Sequence, residues 1–198
     1  MSRDEDIFKI RHNDRAPEKG TILIAEPFMR HVFFQRAVVL LVEHGAKGSM
    51  GFILNKRTDV LLNDFFTELE NVPDIPIFLG GPVHPNQLYF IHSLEQDIFP
   101  CGMKINEQLY LDGNFEELKS YLSRGNPTEG KVKFFLGYSG WESSQLDDEI
   151  SADSWLVSRS SHKSILLADN DSYWNRTVER LGPPYSAWTK FPKNPEMN

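Results

Sequence analysis

KVKFFLGYSGWESSQLDDEI, Lys131–Ile150, changes character twice within one short run. KVKFFLGY alternates at its start and is rich in aromatic residues, which reads as a strand. ESSQLDDEI reads as a helix opening near Glu142 or Ser143. Between the two, Gly137 and Gly140 bracket Tyr138 and Ser139 and lead into Trp141. Glycine loses the most backbone entropy on folding, so in an ordered segment it marks a positive φ or a close backbone approach. A tight turn at Gly137–Trp141 is therefore expected. Trp141 there is either core filler or one wall of a pocket, with an indole N–H that needs a partner. Gln145, one helical turn on, can face the same way.

Working outward, TILIAEP (Thr21–Pro27) reads as a strand stopped by proline, and RAVVLLVEHG (Arg36–Gly45) as a buried strand. GAKGS is a glycine-bounded turn and MGFILN a returning strand, together a hairpin. Val60–Glu70 carries apolar residues at helical spacing and predicts a helix. Ile77–Leu94 predicts a strand, a Gly-Gly-Pro turn and a second strand. CGMKINEQLYLDG predicts a short hairpin closed by Asp112-Gly113. Asn114–Gly125 has an N-cap residue, acids in its first turn and a C-terminal glycine, and predicts a helix. SWLVS and SILLA are short apolar segments, and Asp171–Gly182 predicts a capped amphipathic helix. Strands and helices mix without a βαβα rhythm, which indicates an α+β fold with a mostly antiparallel sheet. Residues 1–19 read as a polar arm, 20–182 as a single domain, and 183–198 as a Pro-rich aromatic strap packed on it.

Composition narrows the function classes. The chain has 198 residues, 40% hydrophobic, 25% charged, with a formal net charge of -7. Neutralising nucleic-acid phosphates calls for a basic face, so this balance argues against autonomous DNA binding. A single cysteine, Cys101, precludes an internal disulfide and fits a reducing cytoplasm. The charged N-terminus does not resemble a signal h-region, and no apolar run is long enough to span a bilayer.

The chemistry-bearing residues leave several readings open. A nucleophile elbow needs G-x-S-x-G, and the frame here is G-Y-S-G-W, so Ser139 reads better as a small residue beside a turn. Glu142, Asp147, Asp148, Glu149 and Asp153 are either carboxylates able to hold Mg²⁺ or a solvated helix face, the second being usual for a charge run. GGPVHP (Gly80–Pro85) is a structural turn or a backbone nest for an anion. His44 and His92 each end a strand, and they share a pocket only if those strands are neighbours. No zinc spacing is present.

Taken together, GTILIAEP, VVLLVEHGAKGSMGFILN, FLGGPV, LYFIHS and GYSGWESSQLDDEI, in this order, resemble the YqgE/AlgH family of small bacterial proteins from about Gly20 to Gly182. The family's glycine-aromatic signature falls on Gly137, Tyr138, Ser139, Gly140, Trp141, Gln145, Leu146, Asp147 and Glu149, with Asp147 standing where Glu is usual. The family takes Ala or Ser at position 139, which further weakens a serine nucleophile. The resemblance implies a single α+β domain with a bifurcated sheet folded into a pseudo-barrel with flanking helices. One member is named as a transcriptional regulator of alginate synthesis, but no helix-turn-helix comes with the resemblance.

The expectation is a cytoplasmic, non-enzymatic regulatory or ligand- or partner-binding protein. Its candidate pocket is His44, Asn55, Gly80, Gly81, Pro82, Val83, His92, Gly137, Tyr138, Ser139, Gly140 and Trp141, with Gln145 and Glu149 behind. No cofactor is implied, and the partner is a small molecule or a protein. The alternative is a hydrolase or transferase using His44 or His92 as base.

Overall fold

The computed structural model describes residues 11–95, 99 and 102–193. In chain order these hold β1 (Ile22–Ala25), β2 (Val38–Gly45), β3 (Gly48–Ile53), β4 (Arg57–Leu61), β5 (Pro76–Leu79), β6 (Val83–His92), β7 (Met103–Lys104), β8 (Tyr110–Leu111), α1 (Phe115–Ser123), β9 (Val132–Trp141), α2 (Gln145–Ser151), β10 (Trp155–Ser158), α3 (His162–Leu166) and α4 (Asn170–Arg180).

The strand β9 organises the rest. One of its edges pairs antiparallel with β6, from Val132↔His92 to Tyr138↔Val83. Its other edge is shared. Phe134–Leu136 pair parallel with β5, and Ser139–Trp141 pair antiparallel with β3. The sheet therefore forks along β9. One path runs β10-β1-β2-β3-β9-β6-β8-β7, and β4-β5 forms the branch. Apart from the β5–β9 contact the pairing is antiparallel, and among the described residues the path is open at β10 and β7. The result is a mostly antiparallel α+β domain with a bifurcated, unclosed sheet, as expected.

Hydrophobic alternation fills three clusters. Ile22, Leu40, Phe52 and Phe135 face α3 and α4 through Ile165, Trp174 and Val178. Leu23, Val39, Ile53 and Trp155 face α2 through Leu146 and Ile150. Ile77, Phe90 and Phe134 face α1 through Leu118 and Leu122. A strand buried on both faces reads as a continuous apolar run, which is why VVLLV in β2 lacks alternation.

The expected helices α1 and α4 form. Asn114 caps α1 by accepting from the N–H groups of Glu116 and Glu117. The helix expected over Val60–Glu70 does not. Strand β4 runs to Leu61, and single 3₁₀ turns follow at Leu62–Asp64 and Thr67–Leu69. The cause is Asn63, whose amide donates to the carbonyls of Leu69 and Val72 and accepts from Ile75 N–H at 2.8 Å. Asp64 likewise accepts from Leu61 N–H. Short polar side chains thus take over backbone partners that a helix would need. Gly137–Trp141 is also corrected, because it continues β9 rather than turning. SWLVS forms β10, and SILLA lies largely in α3, capped by Ser161.

The two ends dock on this body. Asn13 donates to Val157 O and accepts from Val157 N–H, which covers the free edge of β10 as a strand would. A 3₁₀ segment at Tyr185–Lys190 buries Trp188 in the first cluster. Arg36 donates to Phe191 O at 2.5 Å. The short hairpin β7–β8 turns at Asn106, whose side-chain Oδ1 accepts from Gln108 and Leu109 N–H. Cys101 lies outside the described residues.

Candidate functional site

The glycines of the two marked segments press backbone against backbone where the sheet forks. A Cβ on Gly80 would stand 2.1 Å from Gly137 O, and one on Gly81 2.3 Å from Tyr138 C. Gly137, at φ +66°, would meet Gly81 O at 2.6 Å. Ile53 N–H donates to Gly80 O, and Gly80 N–H donates to Leu136 O. Ser139 is fully buried and its hydroxyl donates to the same Gly80 carbonyl at 3.0 Å. That hydroxyl is a structural donor, spent on a backbone carbonyl. Gly80–Val83 and Gly137–Ser139 are thus a packed junction with no room for an anion. Gly81 and Val83 close against β9, Pro82 is exposed, and Tyr138 sits edge-on to Tyr89 at 6.0 Å.

Trp141, Gln145 and Glu149 form a second unit. The Glu149 Oε2 accepts from the indoles of Trp141 at 2.9 Å and Trp155 at 2.8 Å, while Oε1 accepts from Gln145 at 2.9 Å. Gln145 in turn accepts from Glu142 N–H. One carboxylate therefore joins the end of β9, the start of β10 and α2. Phe34 stacks on Trp141 at 6.1 Å and meets Trp155 edge-on at 5.4 Å. Asp153 accepts from His12. Among the described residues no cluster of three His, Cys, Asp or Glu side chains is arranged to hold a metal ion.

The structure separates the two histidines. His44 pairs with Ser49, which pairs with Trp141 at one end of β9, whereas His92 pairs with Val132 at the other. Nine residue steps of strand, about 30 Å, separate those registers. His44 is half-buried with Nδ1 2.8 Å from Ser49 Oγ. His92 is fully buried, with Nδ1 accepting from Leu94 N–H, so Nε2 carries the hydrogen donated to Asp112 O at 3.1 Å. Burial lowers its pKa, and it stays neutral. Asn55 is buried and bridges β2 to α4, accepting from Val38 N–H and donating to the carbonyls of Arg36 and Asn170. The expected residues thus divide among the glycine junction, the Glu149 unit, His44, His92 and Asn55 instead of lining one pocket.

A different cavity was not marked in the sequence. It measures about 340 Å³ and lies between Pro73–Phe78, Thr128–Lys133 and Leu166–Asp169. Its walls include Ile75, Phe78, Leu166 and Ala168, and Lys133 stands among them, only 4% exposed. The Lys133 Nζ donates to Ala168 O at 2.6 Å and lies 3.1 Å from the centre of the Phe78 ring. Burial pulls its pKa down to about 7, Asp169 pulling it up and Arg57 down. A smaller hollow of about 260 Å³ shares Pro73, Ile75, Thr128 and Glu129 and extends the cavity along α1. The sequence signal is a lysine between Val132 and Phe134 in a strand apolar on both faces. Lysine is almost never fully buried without a partner.

A forked, mostly antiparallel α+β sheet with a glycine junction is the structural class to which these features belong. Two solved structures share the overall fold. Protein DIP2367 from Corynebacterium diphtheriae superposes with a TM-score of 0.75 at 21% identity over 90% of this chain and 95% of that one. The AlgH protein from Pseudomonas aeruginosa superposes with a TM-score of 0.66 at 26% identity over 91% and 98%. The chain belongs to the AlgH-like family, whose model matches residues 22–186. Its relatives include UPF0301 proteins of Parabacteroides distasonis, 56% identical over the full length of both chains, and of Bacteroides thetaiotaomicron, 41% identical over the same span.

Proposed function

We propose that this protein is a non-enzymatic, ligand-responsive regulatory protein of the cytoplasm, and that its ligand occupies the cavity over Lys133. The observation that carries this reading is a buried amine among apolar walls in a cavity of small-molecule size. Support also comes from the fate of the other polar groups. Ser139, His92 and Asn55 are all held by internal hydrogen bonds, which takes them out of the hydrolase alternative and leaves it only His44, 2.8 Å from Ser49 Oγ and without an acid among the hydrogen bonds of its ring. The net charge of -7 favours regulation through a partner or small molecule over gripping DNA. The single cysteine fits a reducing compartment.

The test is a thermal-shift screen of uncharged fragments against wild type and Leu167→Trp, which narrows the cavity from its exposed rim. A fragment held at about a hundred times its Kd adds roughly 2.7 kcal/mol. That is a shift of several degrees in a domain of this size. Shifts seen in wild type and lost in a folded Leu167→Trp protein support the site. Shifts indifferent to that substitution place the ligand elsewhere.

A second reading, docking of a protein partner, draws on the β1–β2 loop. Val32 there is 75% exposed and Phe28 36%, next to Arg30 and His31. An apolar loop beside the Arg30 cation suits an acidic, apolar segment of another chain. A photo-crosslinker placed at Val32 in cells would capture a second polypeptide if this holds, and nothing above background if it does not.

A further inference from the structure

We infer that Lys133 forms a reversible imine with a small, uncharged aldehyde or ketone held in its cavity; this rests on the ligand-binding reading above. The geometry supplies three requirements at once. Reaction of an amine with a carbonyl needs the amine unprotonated, held in place and facing a space the carbonyl can enter. The Lys133 Nζ is held by its bond to Ala168 O and by the Phe78 ring, and both residues line the cavity. Lys133 itself lines the cavity, so a carbonyl compound entering it comes alongside this side chain. Burial pulls its pKa down to about 7, so a large part of the amine is neutral at physiological pH.

The surroundings also select the carbonyl compound. Asp74, Glu129 and Asp169 line the same cavity, and the cation Arg57 acts on the amine from β4. Three acids against one cation disfavour a carboxylate- or phosphate-bearing ligand, which would enter a negative mouth. In the step itself the nitrogen lone pair attacks the carbonyl carbon. The resulting carbinolamine loses its oxygen as water, which carries away both hydrogens of the neutral amine. A C=N bond replaces C=O, and nothing is oxidised or reduced. Hydrolysis reverses it, so the ligand is held covalently and released unchanged, as a sensor or carrier requires.

The experiment uses the full chain at about pH 7.5 with benzaldehyde, trapped by cyanoborohydride and read by intact mass and peptide mapping. An ordinary lysine is neutral about once in a thousand molecules at that pH, and one with pKa near 7 is mostly neutral. Lys133 is therefore expected to label on the order of a hundredfold faster than Lys131, its exposed neighbour on the same segment. Labelling of that site should rise to half its limit near pH 7. Lys133→Met should lose the fast adduct, Leu167→Trp should slow it, and glyoxylate, the anionic comparison, should give no preference for Lys133. If benzaldehyde labels lysines in order of exposure, the inference is overturned. The same follows if glyoxylate labels Lys133 as fast. Benzyl alcohol, which has no carbonyl, separates the two ideas. A thermal shift by it that Leu167→Trp abolishes, together with no fast adduct, leaves the ligand site standing and removes the imine.

Discussion

Lys133→Met removes the buried amine and keeps a flexible side chain of similar length in the same apolar slot. The folded-state pKa of Lys133 is about 7, against an ordinary value of 10.5. That difference of 3.5 units, at 1.36 kcal/mol each, makes the protonated form roughly 5 kcal/mol less favourable when buried. Because the folded pKa lies below the unfolded one, the unfolded chain holds the proton between them and the folded chain does not. Stability of wild type therefore rises as pH climbs from about 7 to 10.5, and the full cost is present below 7. The variant lacks this dependence. At pH 6 it should be the more stable protein by a few kcal/mol, after subtracting about 1 kcal/mol for the lost bond to Ala168 O. By pH 10 the two should nearly coincide. Urea unfolding from pH 6 to 10 measures the gap directly. Tyr89, Tyr121 and Tyr185, whose pKa values burial raises, titrate in both chains and drop out of the difference. A gap that stays constant across this range would refute the reasoning.

Three further outcomes are expected. Glu149→Ala leaves the Trp141 and Trp155 indoles without their acceptor, at about 1–3 kcal/mol each, so the melting temperature should fall by several degrees; an unchanged value would show that water replaces the carboxylate. Gly137→Ala should yield little soluble protein, because its φ is +66° and its Cβ would meet Gly81 O at 2.6 Å. Gly140→Ala, whose nearest contact is a Tyr138 ring carbon at 3.3 Å, should express normally, and equal yields would contradict the packed junction. His92, with its pKa lowered by burial, should make wild type lose stability as pH falls below about 6.5, where the unfolded chain takes up the proton first. His92→Gln should be less stable at pH 8 and flatter on acidification, as denaturant titrations at each pH would show.

What the sequence reveals follows from how local each signal is. Helix α1 is legible because its cap, acids and glycine lie within its own dozen residues. Strand β2 is legible because burial on both faces leaves a continuous apolar run. Val60–Glu70 misleads because the residue that decides it, Asn63, bonds to Leu69 and also to Val72 and Ile75, the last two beyond the span that periodicity weighs. Gly137 and Gly81 do mark a close approach, but each approaches the other across the sheet, a fact neither segment contains. Glu149 reads as one acid in a charge run until folding brings two indoles to it. The Lys133 cavity is the extreme case, being assembled from three segments whose only common property is position.

The fork at β9 also bears on how the chain comes to be made. Ribosomes deliver residues in order, and until Val132–Trp141 emerges β3, β5 and β6 have nothing to lean on there. Ile22 waits longer still for Ser158, its partner on β10. Most of the nascent chain thus carries open strand edges that only its last third can cover, a topology that favours slow folding and makes early chains vulnerable to one another. The junction that fixes the mature sheet therefore also makes the growing polypeptide dependent on protection until synthesis is nearly complete.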